Sequence, residues 1–217
     1  MNIKRIITWG IFIVIVGLII FGVIASIKKS YNDKANDTLY EKVSDSDWSI
    51  GNATTSSLII VEYSDFQCPA CRYYSSIMDE VIKEYGDNTR FIYRNFPLPQ
   101  HKNAIPAGKA AGAAGEQGKF WEMYSILFEK QLEWSDISDI EPIFTEYANS
   151  LNLDIEKYNT DYNSQKILNK INSDLKGGIK AGINSTPTFY INDKKIKTPQ
   201  NYNEFKKLID EATTTKI

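Results

Sequence analysis

A short apolar run that leads into a pair of closely spaced cysteines constrains this chain more than any other feature. Leu58-Ile59-Ile60-Val61-Glu62-Tyr63 is rich in β-branched residues and reads as a buried strand. Cys68-Pro69-Ala70-Cys71 follows it. Beyond the pair, Tyr74, Ile77, Met78, Val81, Ile82 and Tyr85 recur at spacings of three and one, as one face of an amphipathic helix does, and Gly86 closes it. Proline is welcome in a first helical turn, where its missing N–H costs nothing, so Asp65 and Pro69 are expected to open the helix. Cys68 then sits where a strand gives way to a helix.

That position has a chemical consequence. First-turn amides lack partners inside the helix and lie at the positive end of its dipole. Both effects favour a thiolate at Cys68. The thiolate is the nucleophile of disulfide exchange, and a thiol of ordinary pKa is only about 3% ionised at pH 7. Cys71 lies one turn on, on the same face, and can attack a mixed disulfide formed at Cys68. The spacing assigns Cys68 as attacker and Cys71 as resolver. A zinc site wants about four ligands, and this chain has two cysteines and the single His101. A purely structural disulfide across so short a loop would restrain the unfolded chain little. With 217 residues, 42% of them apolar, the chain can build a core without a staple. No metal, flavin or nucleotide is implied.

The rest of the chain alternates strands and helices. Arg90 to Phe96 reads as a second strand, ended by Pro97 and Pro99. From His101 to Gly182 the pattern is helical, with Gly108 and Gly112 spaced for tight packing and Phe120 to Phe128 heavily apolar. Thr188 to Ile191 is strand-like, Asn192-Asp193 is a turn, Lys195-Ile196 pairs back, and Asn203 to Thr213 is a last amphipathic helix. The order strand–helix–strand, helical block, strand–strand–helix describes an α/β protein with a helical insertion. His101 is expected at the surface, at a helix start. Glu62 is ambiguous: alternation turns it either to solvent or inward, where it would be a desolvated carboxylate able to relay the proton of Cys71, with Arg90 or Arg94 as a partner.

Ile6 to Ile27 is 22 residues without a formal charge, roughly 33 Å as a helix, enough to cross a bilayer core. Signal-peptide apolar regions are shorter, about 7–15 residues, so an uncleaved anchor is expected in preference to a removed leader. Residues 1–28 are read as this anchor, 29–50 as a polar linker, and 51–217 as the folded domain, with its helical insertion over about 100–182. Lys4 and Arg5 on one side against Lys28 and Lys29 on the other leave orientation undecided by charge. Residues 35–217 hold 20 basic and 26 acidic residues, a balance that argues against nucleic acid as a partner.

Four stretches together resemble a known family. Asp65-Phe66-Gln67-Cys68-Pro69-Ala70-Cys71, Tyr93-Arg94-Asn95-Phe96-Pro97-Leu98, Gly115-Glu116-Gln117-Gly118-Lys119-Phe120-Trp121-Glu122 and Ser185-Thr186-Pro187-Thr188 are similar to the motifs of DsbA-like thiol–disulfide oxidoreductases. The resemblance spans about residues 45–213. It implies a thioredoxin fold with a helical insertion between the βαβ and ββα halves, here preceded by one N-terminal transmembrane helix. It implies that Pro187 is cis and packs beside the sulfurs, that the Thr186 backbone is open to an extended substrate, and that Glu62 is buried below the site. Pro69 and Ala70 complete the active-site turn. The implied activity is oxidation of thiols in reduced, exported proteins, by a monomer reoxidised by a quinone-linked DsbB-like or VKOR-like membrane protein. Disulfides persist only in oxidising compartments, so the catalytic domain is expected on the extracytoplasmic side of the cell membrane. Ala70 stands where strongly oxidising relatives carry histidine, and this keeps a reductase or isomerase as the alternative. A non-catalytic tethered chaperone module is the third reading.

Overall fold

The computed structural model describes residues 9, 12–13, 15–24, 38–52 and 58–214. Residues 6–8, 10–11, 14 and 25–27 of the expected membrane span fall outside them, as does the start of the linker. Among the described residues no helix is long and apolar enough to cross a membrane.

Among the described residues five strands form one sheet in the order β1-β3-β2-β4-β5: β1 (Trp48–Gly51), β2 (Leu58–Ser64), β3 (Thr89–Asn95), β4 (Thr188–Ile191) and β5 (Lys194–Lys195). β2 and β3 run parallel, joined by helix α1 (Pro69–Tyr85), while β4 lies antiparallel to β2. Asn192 and Asp193 both have positive φ, the backbone of a tight hairpin turn, which joins β4 to β5. Between β3 and β4 the chain forms six helices: α2 (Ala104–Gly115), α3 (Phe120–Glu129), α4 (Gln131–Trp134), α5 (Glu141–Ser150), α6 (Ile155–Tyr162) and α7 (Gln165–Lys180). α8 (Tyr202–Thr214) closes the described chain.

Each face of the sheet is covered, which is why β2 and β3 read as nearly continuous apolar runs. Ile77, Met78 and Val81 of α1 and Phe205 and Ile209 of α8 pack with Ile60, Phe91 and Phe189 on one face. Val61, Tyr63, Ile92 and Tyr190 cluster with Leu39, Ala181 and Ile183 on the other. Burying each of these large side chains is worth about 1.5–3 kcal/mol. The insertion has its own core, and Phe66, Cys68, Cys71 and Tyr93 belong to it, so the cysteines lie on the seam between sheet and insertion. Gly108 and Gly112 do serve tight packing: a Cβ on Gly108 would come 2.7 Å from the Asn95 side chain, and one on Gly112 would come 2.8 Å from Ile167 of α7.

Two expectations need correction. The polar linker does not extend to residue 50. Leu39 donates its amide to Asp193 O at 2.8 Å, and Trp48–Gly51 pairs as an edge strand with β3. The physical cause is a buried charge, since Arg94 binds Asp47 through Nε at 3.0 Å and Nη2 at 2.9 Å. Burial alone would raise the Asp47 carboxyl, but Arg94 and Lys170 outweigh it and hold its pKa below the ordinary value. Trp48 stacks on Phe120 with ring centroids 4.6 Å apart. The second correction concerns the helix start. Asp65 does not cap α1; Cys68 is the N-cap residue, with Pro69 at the first helical position.

Candidate active site

Strand β2 delivers the chain to a tight connection, residues 65–68, and α1 starts on Cys68. Both cysteines are free thiols and both are buried. Pro69 and Ala70 are exposed at the tip of the turn, so approach to Cys68 is from their side. The Thr186–Pro187 bond is cis, and Pro187 is buried. Cys68 Sγ lies 3.6 Å from the Thr186 carbonyl oxygen, which accepts from the protonated thiol. A cleft of about 550 Å³ opens beside Pro69 between α1 and α3, lined in part by Arg72, Tyr73, Asp79 and Tyr124.

The two thiols are driven in opposite directions. The Cys71 thiol, acting as donor, is the largest influence lowering Cys68, helped by the Thr186 hydroxyl and by the amides of Cys71 and Ala70. Together they overcome burial and bring Cys68 down to about 5. The amides act as oriented dipoles here; Cys68 makes no full side-chain capping bond. Cys71 is pushed well above the ordinary thiol value, first by burial, then by the Cys68 and Glu62 charges beside it.

Glu62 points inward and is fully buried. Among the described residues neither carboxylate oxygen has a hydrogen-bond partner; the Ser64 hydroxyl lies near enough to act on the charge without forming a bond. Burial, with the Cys68 charge added, raises the Glu62 pKa to about 8. The hydroxyls of Tyr93 and Tyr124 are likewise buried and without a hydrogen-bond partner among the described residues. Neither Arg90 nor Arg94 pairs with Glu62. Glu62 is in register with Tyr93, so its side chain shares the face of Phe91 and Tyr93, whereas Arg90 and Arg94 alternate to the opposite face. Arg94 binds Asp47 there, and Arg90 binds Ser44 O and the Ser49 hydroxyl.

The insertion grips the connection at several points. Asp65 accepts the amides of Gln67 at 2.7 Å and Leu98 at 2.8 Å, and its Oδ2 lies 2.7 Å from His101 Nδ1. Burial raises the Asp65 pKa against these bonds. His101 is therefore a half-buried partner of Asp65 rather than a surface residue. Gln67 Oε1 accepts the Asn103 amide at 2.6 Å, and Gln67 Nε2 donates to Ser135 O at 2.8 Å. Gln131 Nε2 donates to Phe66 O at 2.7 Å and Cys68 O at 3.0 Å. The sequence reading singled out neither Asp65 as this anchor nor Gln131. A glutamine inside a helical stretch carries no periodic signal, and only the fold brings residue 131 to residue 68.

Residues 44–211 match the thioredoxin family, and the chain belongs to it. Among curated relatives, a Na(+)/H(+) antiporter NhaA 1 of Mycolicibacterium vanbaalenii is 38% identical over 147 residues, 65% of this chain and 23% of the antiporter. The NhaA of Herminiimonas arsenicoxydans is 30% identical over 142 residues, 64% of this chain and 21% of that one. The chain thus spans about a quarter of the length of these relatives. Among solved structures, oxidised BdbD from Bacillus subtilis superposes with a TM-score of 0.70 at 24% identity, covering 82% of this chain and 99% of that one. Wolbachia pipientis alpha-DsbA1 gives 0.71 at 22% identity, covering 80% and 94%. The fold is the thioredoxin fold with a helical insertion.

Proposed function

We propose that the chain is a DsbA-like dithiol oxidase acting at Cys68 and Cys71. The observation that carries this reading is geometric: two free cysteines one turn apart at one helix start, Cys68 as the N-cap residue beside the cis Thr186–Pro187 bond, an arrangement that favours a thiolate at Cys68 and a protonated Cys71. Stabilising the reduced form makes a disulfide more oxidising. In the oxidising direction a substrate thiolate attacks Cys68 Sγ of the disulfide form. The Cys68–Cys71 bond breaks, and its electron pair leaves on Cys71, which takes a proton. Glu62, protonated below about pH 8, stands close enough to act electrostatically on Cys71 and is the group suited to give that proton. The substrate's second thiol loses its proton and attacks its own sulfur in the mixed disulfide, expelling Cys68 as thiolate. The substrate loses two electrons and gains a disulfide; the cysteine pair gains the two electrons.

The substrates are reduced, unfolded exported proteins. Asn184 and Ser185 are exposed and lead to Thr186 at the Cys68 sulfur, so an extended segment lying along them meets the sulfur through main-chain contacts, without its sequence being read. We place the domain on the extracytoplasmic side of the cell membrane, held by the uncharged segment 6–27, with a quinone-linked DsbB-like or VKOR-like membrane protein as reoxidant. The compartment argument and the length of that segment support this placement. Ala70 between the cysteines removes one stabiliser of the thiolate and supports an oxidant of moderate strength. The experiment is alkylation trapping in cells with a reagent that does not cross the membrane. An oxidised, externally accessible Cys68–Cys71 pair in the steady state is expected; a reduced pair indicates a reductase, and an inaccessible one the wrong side of the membrane.

A further inference from the structure

The connection that carries Cys68 has two buried carbonyls, those of Phe66 and Cys68, flanking the approach to the nucleophile. Cys68 O already accepts the first helical bond, from Arg72 N at 3.1 Å. Its second lone pair and the Phe66 carbonyl both receive the amide of Gln131, whose residue is 1% exposed. A carboxamide nitrogen has two hydrogens, and here each is committed to one carbonyl. Gln131 opens α4, sixty-three residues further along the chain, so the insertion itself supplies the grip.

We propose that Gln131 is a positioning residue for the attacking thiol: by pinning the Phe66 and Cys68 carbonyls toward the insertion, it keeps the Cys68 sulfur facing the amides of the first helical turn. The argument rests on the reading of Cys68 as the attacking thiolate. A buried carbonyl without a donor is costly, so on loss of Gln131 these peptide planes rotate to find other partners. Such rotation turns the Cys68 Cα–Cβ bond relative to the Ala70 and Cys71 N–H groups, which stabilise the thiolate only while aimed at it. Asp65 and Gln67 anchor the same connection, Gln67 through the backbone amide of Asn103, but Gln131 is the side chain that reaches Cys68 itself.

The test uses the full chain, reduced, with the rate of Cys68 alkylation by iodoacetamide followed against pH. Gln131→Met keeps the volume and removes both donors. We expect the apparent Cys68 pKa to rise by about one unit, a tenfold loss of thiolate at a given pH in the titrating range. Asn103→Ala is the control. It removes side-chain bonds to the carbonyls of Trp134, Ser135 and Ile137, costs stability in the same region, and is expected to leave the Cys68 titration where it was. A purely structural role would move both variants alike. An unchanged titration in Gln131→Met, or an equal rise in Asn103→Ala, overturns the proposal. Should Gln131→Met fail to fold, Gln131→Asn withdraws the same amide by one methylene and is expected to shift the pKa the same way; failure of both to fold also overturns it, in favour of a structural role. If the unmodified chain itself titrates at an ordinary thiol pKa, it is the reading of Cys68 that fails.

Discussion

The carbonyl oxygen of Thr186 stands 3.6 Å from the sulfur of Cys68. A carbonyl is an acceptor only, so this contact favours the thiol, while the Thr186 hydroxyl, which makes no hydrogen bond among the described residues, lies near enough to act in favour of the thiolate. The two groups of one residue thus oppose each other at the nucleophile. Thr186→Val removes the hydroxyl and keeps the carbonyl. The expected outcome is a higher Cys68 pKa, by roughly one unit, and a less oxidising pair. Titration of the thiolate absorbance near 240 nm checks it.

Cys68 and Cys71 are expected to differ sharply in alkylation of the reduced protein at pH 6.5. Cys68, brought down to about 5, is ionised there, while Cys71 is a buried thiol with a raised pKa. Mass spectrometry after brief exposure to iodoacetamide should find modification at Cys68 alone. Equal labelling would remove the distinction between attacker and resolver.

Glu62 connects the site to stability. Its folded pKa of about 8 lies above the unfolded value of 4.5. A raised carboxyl pKa means that its contribution is fully present below about pH 4.5, declines as pH rises, and is lost by about pH 8. Glu62→Gln abolishes that decline, and the variant should be more stable than the parent at pH 8 by roughly 2–4 kcal/mol. Urea denaturation at pH 5 and pH 8 measures the difference. The same variant should slow exchange, because Cys71 loses its proton partner; an unchanged exchange rate would assign Glu62 no part in the chemistry.

Arg94 holds the lead-in to the sheet. Arg94→Met leaves the Asp47 carboxylate buried with Lys170 at 3.2 Å as its remaining ionic partner, and should cost about 3 kcal/mol. In the parent, the Asp47 contribution is complete above its unfolded pKa of about 3.9 and is lost as pH falls through the lower folded value. Denaturation at pH 7 and pH 3 should therefore show the penalty shrinking in acid.

What the sequence disclosed was local. β2, α1 and the two cysteines lie within 28 residues, and their periodicity and turn residues specify them without help from the rest of the chain. β1 was not legible: Trp48-Ser49-Ile50-Gly51 is four residues, and its partner strand begins at Thr89. Asp47 looked like solvated linker because its burial depends on Arg94, far along the chain. The face of Glu62 was open because β2 is buried on both sides, so alternation carries no polarity signal. Gln131 and His101 have polar side chains in a helical stretch and at its start, and only the packing of insertion against sheet shows what they bind.

The most direct test of the account is the reduction potential of the Cys68–Cys71 pair, measured by equilibrating the full chain against glutathione or dithiothreitol buffers. The account predicts a fully reversible disulfide with a potential roughly between −270 and −120 mV, the values typical of thioredoxin and of DsbA. A potential below that of thioredoxin, or no disulfide between Cys68 and Cys71 at any poise, would contradict it.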